Sequence, residues 1–191
     1  MTLKLTFHGA ARTVTGSCYV VDTGTHRLMI DCGMFQGSKT ESELNYREFP
    51  FSPAGIDAML LTHAHIDHAG LIPKLVKHGF RGRIHATEAT ADLCSIMLPD
   101  SGHIQEVETR QLNERNRRRG RPLIEPIYVM ADAEAAVKQL TVVAYKTWLE
   151  PVPRVRARYW NAGHLLGSAS IEVEISGNGA APLRILFSGD V

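Results

Sequence analysis

The sequence lacks any long apolar run. No stretch of the 191 residues approaches the roughly 18 consecutive apolar residues that a membrane-spanning helix requires. Residues 1–7 alternate between polar and apolar like a β-strand, and they lack the apolar core and cleavage site of a signal peptide. These absences disfavour a membrane partner and a secreted protein, and they predict a cytoplasmic one.

Cysteine is scarce as well. The chain has only three cysteines, too few and too scattered for a disulfide framework, and none of them forms a CxxC pair. Such cysteines fit a reducing compartment, where they behave as small buried apolar residues. They are Cys18, Cys32 and Cys94.

The chain also lacks a large excess of charge of either sign, since its formal net charge is +1. The chain therefore has no global electrostatic attraction to nucleic acid or to an anionic membrane, and any such function must rest on a local patch. A hydrophobic content of 44% and a charged content of 21% are ordinary for a globular protein. The length suits a single domain that spans residues 1–191 and buries a sizeable core.

Metal-binding side chains are concentrated in residues 62–70, which read THAHIDHAG and follow the apolar run AMLL. His63 and His65 are two residues apart, so in a tightly turning segment both imidazoles can face one ion. Asp67 and His68 lie one turn further on, where they can face a second ion. Nitrogen and carboxylate ligands together suit Zn²⁺ and its first-row neighbours. The alternative, a run of surface polar residues at a helix start, is disfavoured because clustered His and Asp indicate a metal or catalytic site.

Two further ligand-type residues stand far along the chain. His164 lies between glycines in a loop after one predicted strand, and Asp190 follows the apolar end of another. Either residue alone would as often be structural. Together with the first cluster they form a set of six metal-binding side chains that follow the ends of predicted strands.

The pattern of apolar residues predicts strands in the first third of the chain. Residues 18–21 and 27–30 flank a turn that reads TGTH, which is typical of a hairpin, and residues 56–61 form a strand buried on both faces. After the histidine cluster a helix is expected, with Pro73 in its first turn and Gly79 at its end.

Residues 88–140 are predicted to be mostly helical. One amphipathic helix precedes Pro99, a second follows it, and a third covers residues 133–140 with Asp132 as its N-cap. Strands return at residues 142–145, 155–160, 171–175 and 183–187, with a turn at 176–179 between the last two. This order predicts a mixed α/β (α+β) fold in which two sheets lie between helices.

With these residues the chain resembles the metallo-β-lactamase superfamily, whose characteristic motif is HxHxDH followed by a distant His and a distant Asp. It resembles most closely the β-CASP nucleases, the branch that processes RNA and, in some members, DNA. The more specific matches are residues 9–17 (GAARTVTGS), 31–37 (DCGMFQG), 163–169 (GHLLGSA) and 188–190 (SGD). The resemblance covers essentially the whole chain and implies an αββα sandwich.

The resemblance also implies roles for individual residues. His63, His65 and His164 would hold a first zinc ion, and Asp67 and His68 a second, with Asp190 bridging both. Asp67 would also orient the nucleophile or take its proton, and Asp31 would orient an imidazole from behind the ligands. Two zinc ions per complete site and an RNA substrate follow from the same comparison.

One departure from the family pattern concerns the second metal. No histidine follows His164, so the family's last ligand has no counterpart, and the β-CASP insert is also absent. We therefore expect an N-terminal part of a longer enzyme, with a sandwich incomplete at its C-terminus. One zinc ion, weak activity or none, and an exposed apolar edge are expected for these residues alone. The missing C-terminal part would be a partner, and a homodimer is one further candidate.

A run of arginines offers a local basic patch. It could hold an RNA backbone, because guanidinium groups match phosphate oxygens. The alternative, a solvated helix end whose charge is offset by Glu106, Glu108 and Glu114, is favoured because charge runs are commonly solvated surface. No aromatic residues interleave with the run to support base stacking. The run comprises Arg110, Arg115, Arg117, Arg118, Arg119 and Arg121.

Three functions follow from these observations. The leading one is a zinc-dependent phosphodiesterase that acts on RNA. The second, on the same fold, is a hydrolase of a small ester, thioester or lactam, which would lack both a basic track and the segment at residues 9–17. The third is a non-catalytic metal-binding module, which the missing C-terminal ligand favours.

Overall fold

The computed structural model describes residues 3–177 and 181–191. Its first sheet has six strands in sequential order, of which the first three pair antiparallel and the last four parallel. The predicted hairpin around residues 23–26 is confirmed. The strands are β1 (Lys4–Phe7), β2 (Tyr19–Asp22), β3 (Arg27–Ile30), β4 (Ala58–Leu60), β5 (Arg83–Thr87) and β6 (Leu140–Val143).

The second sheet has four antiparallel strands in the order β10-β9-β8-β7. They are β7 (Trp148–Val152), β8 (Val155–Asn161), β9 (Ala169–Ile175) and β10 (Leu183–Phe187). β7 was not predicted, because its sequence WLEPV contains Pro151. As an edge strand, β7 tolerates a residue that lacks an amide hydrogen. The turn predicted at residues 176–179 lies partly outside the described residues.

Three longer helices pack on one side of the first sheet. Successive residues of a strand point to opposite faces, so Met29 and Met59 meet the helices while Leu28 and Leu60 meet the second sheet. Strands buried on both faces need continuous apolar runs, as residues 56–61 have. The helices are α1 (Lys39–Ser42), α2 (Ile66–Ala69), α3 (Ile72–Lys77), α4 (Glu88–Arg118) and α5 (Met130–Val137).

The mixed fold class and the two facing sheets are confirmed. Within residues 3–177 and 181–191, the helices α3, α4 and α5 all cover the first sheet. In residues 3–177 and 181–191, no helix is both long and apolar enough to cross a membrane. The three cysteines are buried and unpaired, as expected.

The prediction of a break at Pro99 was wrong. α4 runs through this proline for 31 residues. An internal proline costs a helix about 3 kcal/mol, but Cys94, Leu98 and Gly102 recur every four residues along the buried face. Gly102 lies so close to the start of α5 that an added Cβ would stand 2.8 Å from the Met130 nitrogen. Packing of α4 on α5 therefore overrides the local preference.

The predicted bounds of α5 were also wrong. The helix begins at Met130, and Val129 is its N-cap residue. Asp132 occupies the third helical position, where its Oδ2 accepts a hydrogen bond of 3.0 Å from the Val129 amide. The helix ends at Val137 because Leu140 pairs with Ile84 in the first sheet.

A buried histidine in β5 gives the fold an acid-sensitive position. Burial lowers the pKa of His85, and Arg83 lowers it further. Its Nδ1 has no hydrogen-bond partner among the described residues. Because the folded pKa lies below the unfolded value of 6.5, protonation favours the unfolded chain. His85 is therefore neutral and compatible with the fold above about pH 6.5, and stability is lost as the pH falls.

We expect the free energy of unfolding of the wild type to fall more steeply between about pH 7 and pH 5 than that of the variant His85→Leu. Urea unfolding at several pH values measures both slopes. Equal slopes in the two proteins would contradict this role of His85.

Candidate metal centre

Three loops meet at one edge of the paired sheets and carry the predicted ligands. The loop after β4 bears His63 and His65, the loop after β8 bears His164, and the segment after β10 bears Asp190. The Ala169 amide donates a hydrogen bond of 2.9 Å to the Thr62 carbonyl, which joins the first two loops. A Cβ on Gly189 would lie 3.1 Å from the Thr62 Cβ, so the third segment closes on the same residue.

Four side chains converge where these loops meet. Nδ1 of His65 lies 3.2 Å from Nε2 of His63 and 3.1 Å from Nε2 of His164. Oδ2 of Asp190 lies 3.5 Å from the same nitrogen of His164 and 4.0 Å from that of His63. One ligand atom from each residue falls within 4.8 Å of all the others.

The geometry of this cluster fits a metal ion. Zinc–nitrogen bonds of about 2.0–2.1 Å in a tetrahedral site place ligand atoms roughly 3.3 Å apart, close to the spacing of the three imidazole nitrogens. Burial, and to a lesser extent the neighbouring His68, lower the pKa of His63 to about 4. His63 is therefore neutral near pH 7 and its nitrogen lone pair is available to a cation.

The remaining predicted ligands lie beside this cluster. Nε2 of His68 is 3.3 Å from Oδ1 of Asp190 and 3.8 Å from Oδ2 of Asp67. The two oxygens of Asp190 thus face in different directions, one toward His164 and His63 and the other toward His68. This is the arrangement that a carboxylate shared by two ions requires.

Asp31 lies behind the ligands and is fully hydrogen-bonded. Its Oδ2 is 2.7 Å from Nδ1 of His68, and it accepts bonds from the hydroxyls of Thr62 at 2.9 Å and Ser17 at 3.2 Å. Its Oδ1 accepts a bond of 2.8 Å from the Thr62 amide. Burial alone would lower the pKa of His68, but the bond to Asp31 and the charges of Asp31, Asp67 and Asp190 raise it.

Glycine allows the segment after β3 to lie directly on the ligand-bearing turn. A Cβ on Gly33 would stand 1.6 Å from the Asp67 carbonyl oxygen, so no other residue fits there. The Ser17 amide donates to that same oxygen at 2.8 Å, and the Cys32 amide donates to the His68 carbonyl at 2.8 Å. Residues 9–17 and 31–37, which carry the family resemblance, therefore brace the turn from outside.

Sequence reasoning missed the roles of Thr62 and Ser17. The Thr62 hydroxyl bonds Asp31 and lies 3.0 Å from Nδ1 of His63 and 3.4 Å from Nδ1 of His68, so it connects the carboxylate to both imidazoles. Its position directly before the histidine cluster was the available signal. Ser17 gave none, since its bond to Asp31 spans two strands.

The arginine run lies far from this centre. α4 begins beside the His164 loop, where the Thr87 and Thr90 hydroxyls donate to the Gly167 carbonyl at 2.6 and 2.9 Å. At a rise of about 1.5 Å per residue, the helix carries Arg115 roughly 40 Å away. The run from Arg115 to Arg121 is exposed, and within residues 3–177 and 181–191 it forms no ion pair with Glu106, Glu108 or Glu114.

Imidazoles and carboxylates that converge at the edge of two facing sheets are typical of a metal-dependent hydrolase. The sequence profile of the Metallo-beta-lactamase superfamily matches residues 11–191. The chain belongs to this superfamily, as predicted.

Relatives with established names are longer than this chain. Ribonuclease TTHA0252 of Thermus thermophilus is 35% identical over 189 residues, which cover 99% of this chain and 38% of that protein. The transcription termination factor FttA of Methanocaldococcus jannaschii is 29% identical, and the match covers 99% of this chain and 27% of that protein. The cleavage and polyadenylation specificity factor 73 of Drosophila melanogaster is 30% identical, with 95% and 24% covered. These relatives confirm the predicted resemblance to the RNA-processing branch, and the chain spans well under half of each.

Solved structures support the fold. The subclass B3 metallo-beta-lactamase BJP-1 of Bradyrhizobium japonicum superposes with a TM-score of 0.54 at 20% identity, covering 95% of this chain and 58% of that one. The enzyme Rm3 gives a TM-score of 0.55 at 19% identity, with 95% and 57% covered. At such identities the likeness concerns the fold alone.

Proposed function

We propose that this chain is the metal-binding N-terminal part of a phosphodiester hydrolase that acts on RNA. The observation that carries the proposal is the convergence of six ligand-type side chains on one open edge of a metallo-β-lactamase fold. The names of the relatives, among them a ribonuclease and a cleavage factor, favour RNA over small esters. Free, buried cysteines support a cytoplasmic location.

Zinc is the metal that the donor set favours, because neutral imidazoles and carboxylates are its usual ligands. His63, His65 and His164 would hold the first ion, and Asp67 and His68 the second, with Asp190 shared. When bound, such ions activate water near neutral pH and offset the charge that develops on phosphate oxygens. We expect one ion in this chain alone, since His63, His65, His164 and Asp190 bring their ligand atoms within 4.8 Å of one another.

The chain's own residues would supply positioning and proton transfer. Asp67 is part-buried at the start of α2, with its backbone carbonyl fixed by the Ser17 amide, and it would orient the attacking water or take its proton. Asp31 would hold the imidazole of His68 in one orientation through its 2.7 Å contact. His65 and His164 are exposed, which leaves the centre open to a polymer such as RNA.

The full activity belongs to a longer protein under this proposal. The chain corresponds to 24–38% of the relatives named above, so a C-terminal partner segment, and a homodimer as one form of assembly, remain part of it. Low turnover by the chain alone is expected.

The test compares cleavage of an end-labelled single-stranded RNA by the zinc-loaded wild type and by Asp67→Asn. We expect EDTA to stop cleavage, and the variant to be slower by a factor of about 10²–10⁴, which is the usual contribution of a general base. The matched control is Asp100→Asn, which makes the same change at an exposed position of α4 and should leave the rate unaltered.

Three results would count against the proposal. Cleavage at the wild-type rate in EDTA or by Asp67→Asn would show that neither the metal nor this carboxylate takes part. Hydrolysis of a thioester without cleavage of RNA would favour a small-molecule hydrolase. Zinc binding without any hydrolysis would favour a non-catalytic metal-binding module.

A further inference from the structure

The hydroxyl of Thr62 lies between three groups of the metal centre. Its oxygen is 2.9 Å from Oδ2 of Asp31, 3.0 Å from Nδ1 of His63 and 3.4 Å from Nδ1 of His68. Thr62 and Asp31 are each 1% exposed, and His63 is fully buried. Within residues 3–177 and 181–191 the hydroxyl has no other hydrogen-bond partner. Its single proton must therefore be shared out among these three groups.

The hydrogen bond to Asp31 has only one possible direction. A carboxylate accepts hydrogen bonds and donates none, whereas a hydroxyl carries one proton. At a separation of 2.9 Å, the oxygens of Thr62 and Asp31 would repel each other unless that proton lay between them. A hydrogen bond to a charged acceptor is also about twice as strong as one between neutral groups. The proton of the Thr62 hydroxyl therefore points to Asp31.

This direction determines how Thr62 interacts with His63. Because its proton is already used, the Thr62 oxygen can only accept a hydrogen bond from Nδ1 of His63, which lies 3.0 Å away. Nδ1 must then carry the proton of the imidazole ring. In a neutral imidazole one nitrogen is protonated and the other has a lone pair. Nε2 of His63 is therefore the nitrogen that keeps its lone pair.

Nε2 of His63 is also the atom that faces the other ligands. It lies 3.2 Å from Nδ1 of His65 and 4.0 Å from Oδ2 of Asp190. The hydrogen bonds on one side of the ring and the ligand cluster on its other side thus require the same tautomer. Which nitrogen of a histidine binds a metal is set by the hydrogen bond that the other nitrogen makes.

His68 obtains the same arrangement directly from Asp31. Its Nδ1 lies 2.7 Å from Oδ2 of Asp31, and its Nε2 lies 3.3 Å from Oδ1 of Asp190. One carboxylate oxygen thus orients two imidazoles, His68 by direct contact and His63 through Thr62. Ser17 donates to the same oxygen at 3.2 Å but makes no hydrogen bond to either imidazole in the described part of the chain.

We propose that Thr62 is a positioning residue for the first metal ion: its hydroxyl relays the hydrogen bond of Asp31 to His63 and holds that imidazole with Nδ1 protonated and Nε2 free. The inference rests on the ligand assignment of the proposed function and does not depend on the substrate. Groups that orient a metal-binding imidazole contribute about 10–100-fold to metal affinity. Each member of the relay is buried, so its geometry is set by the interior of the fold.

The position of the ring proton is observable by NMR spectroscopy of protein with isotope-labelled histidines. The zinc-free chain is studied in EDTA near neutral pH, and the His63 signals are assigned by their absence from the spectrum of His63→Ala. We expect the proton of His63 to be bonded to Nδ1 in the wild type. A proton on Nε2 instead would overturn the inference from the wild type alone, whether or not a variant at Thr62 folds.

Thr62→Val removes the hydroxyl and keeps the branched shape of the side chain. We expect the Nδ1 proton of His63 to lose its acceptor, so that both tautomers appear, and the zinc affinity to fall about 10–100-fold. Thr62→Ser keeps the hydroxyl, so it should retain the wild-type tautomer and a zinc affinity within about threefold of the wild type. Competition with a chromophoric chelator measures the affinities.

Ser17→Ala is the matched control, because it removes another hydroxyl that donates to the same oxygen of Asp31. We expect it to leave the tautomer of His63 unchanged and to lower the zinc affinity less than Thr62→Val does. Equal losses of affinity in Ser17→Ala and Thr62→Val, or in Thr62→Ser and Thr62→Val, would show a general packing effect and overturn the inference.

The remaining outcomes separate this inference from the proposed function. If the wild type binds zinc and Thr62→Val binds it equally well, the relay is wrong and the ligand assignment stands. If the wild type binds no zinc, the result counts against the ligand assignment itself, and against this inference with it.

Discussion

Replacing Asp31 by alanine is expected to lower the free energy of unfolding of the metal-free protein by about 4 kcal/mol. The change removes the acceptor of buried bonds from Ser17 and Thr62 and the partner of His68. Unsatisfied buried donors cost about 1–3 kcal/mol each, and breaking one side of a buried charged pair costs about 3–5 kcal/mol. Asp31 also has a φ of 57°, a left-handed conformation that alanine adopts at further cost.

Urea unfolding in EDTA measures this effect without any contribution from bound metal. Asp31→Asn is the matched control, because asparagine tolerates the same backbone conformation and keeps one acceptor oxygen. We expect its loss to be about half as large. A loss below about 1 kcal/mol in Asp31→Ala, the size of an ordinary surface effect, would contradict the role assigned to this carboxylate.

The contribution of Asp31 should also depend on pH. Burial alone would lower the pKa of His68, but its bond to Asp31 and the nearby carboxylates raise it above the unfolded value of 6.5. A raised histidine pKa stabilises the fold below about pH 6.5, and this stabilisation is lost as the pH rises through the folded pKa. The difference in stability between the wild type and Asp31→Ala is therefore expected to shrink at alkaline pH.

Replacing His63 by alanine is expected to weaken zinc binding by more than about 100-fold. Loss of a group that merely orients a ligand already costs about 10–100-fold in affinity, and His63 is assigned as a ligand itself. Its Nε2 stands 3.2 Å from Nδ1 of His65 and opposite the carboxylate of Asp190, so its removal opens one side of the cluster. Competition with a chromophoric chelator measures the affinity.

His103→Ala is the matched control, since His103 is an exposed histidine on α4 outside the cluster. Both variants should keep the circular dichroism spectrum of the wild type, because the site is held mainly by backbone bonds and by Asp31. Zinc affinity that is unchanged in His63→Ala would contradict the ligand assignment.

Strands were the most predictable part of the fold. The bounds of β3 and β10 agree with the prediction to the residue, because alternating or continuous apolar runs there are framed by turn residues. β7 and the unbroken α4 were not predicted, because their prolines signal a break unless tertiary contacts are known. β7 forms because an edge strand tolerates proline, and α4 stays unbroken because it packs on α5.

The ligand-type residues were predictable because their residue types are unusual at that spacing and at strand ends. The groups that support them were less predictable, because Thr62 and Ser17 carry common hydroxyls. Their importance appears only when the structure places Asp31 between them. The arginine run, conspicuous in sequence, is carried away from the centre by the length of α4.

The most direct test of the account is the metal content of the wild-type chain, purified without chelator and measured by elemental mass spectrometry. The account predicts about one zinc ion per chain, because the three imidazoles and Asp190 converge on one point. A chain that contains no zinc and takes up none when zinc is added would contradict it.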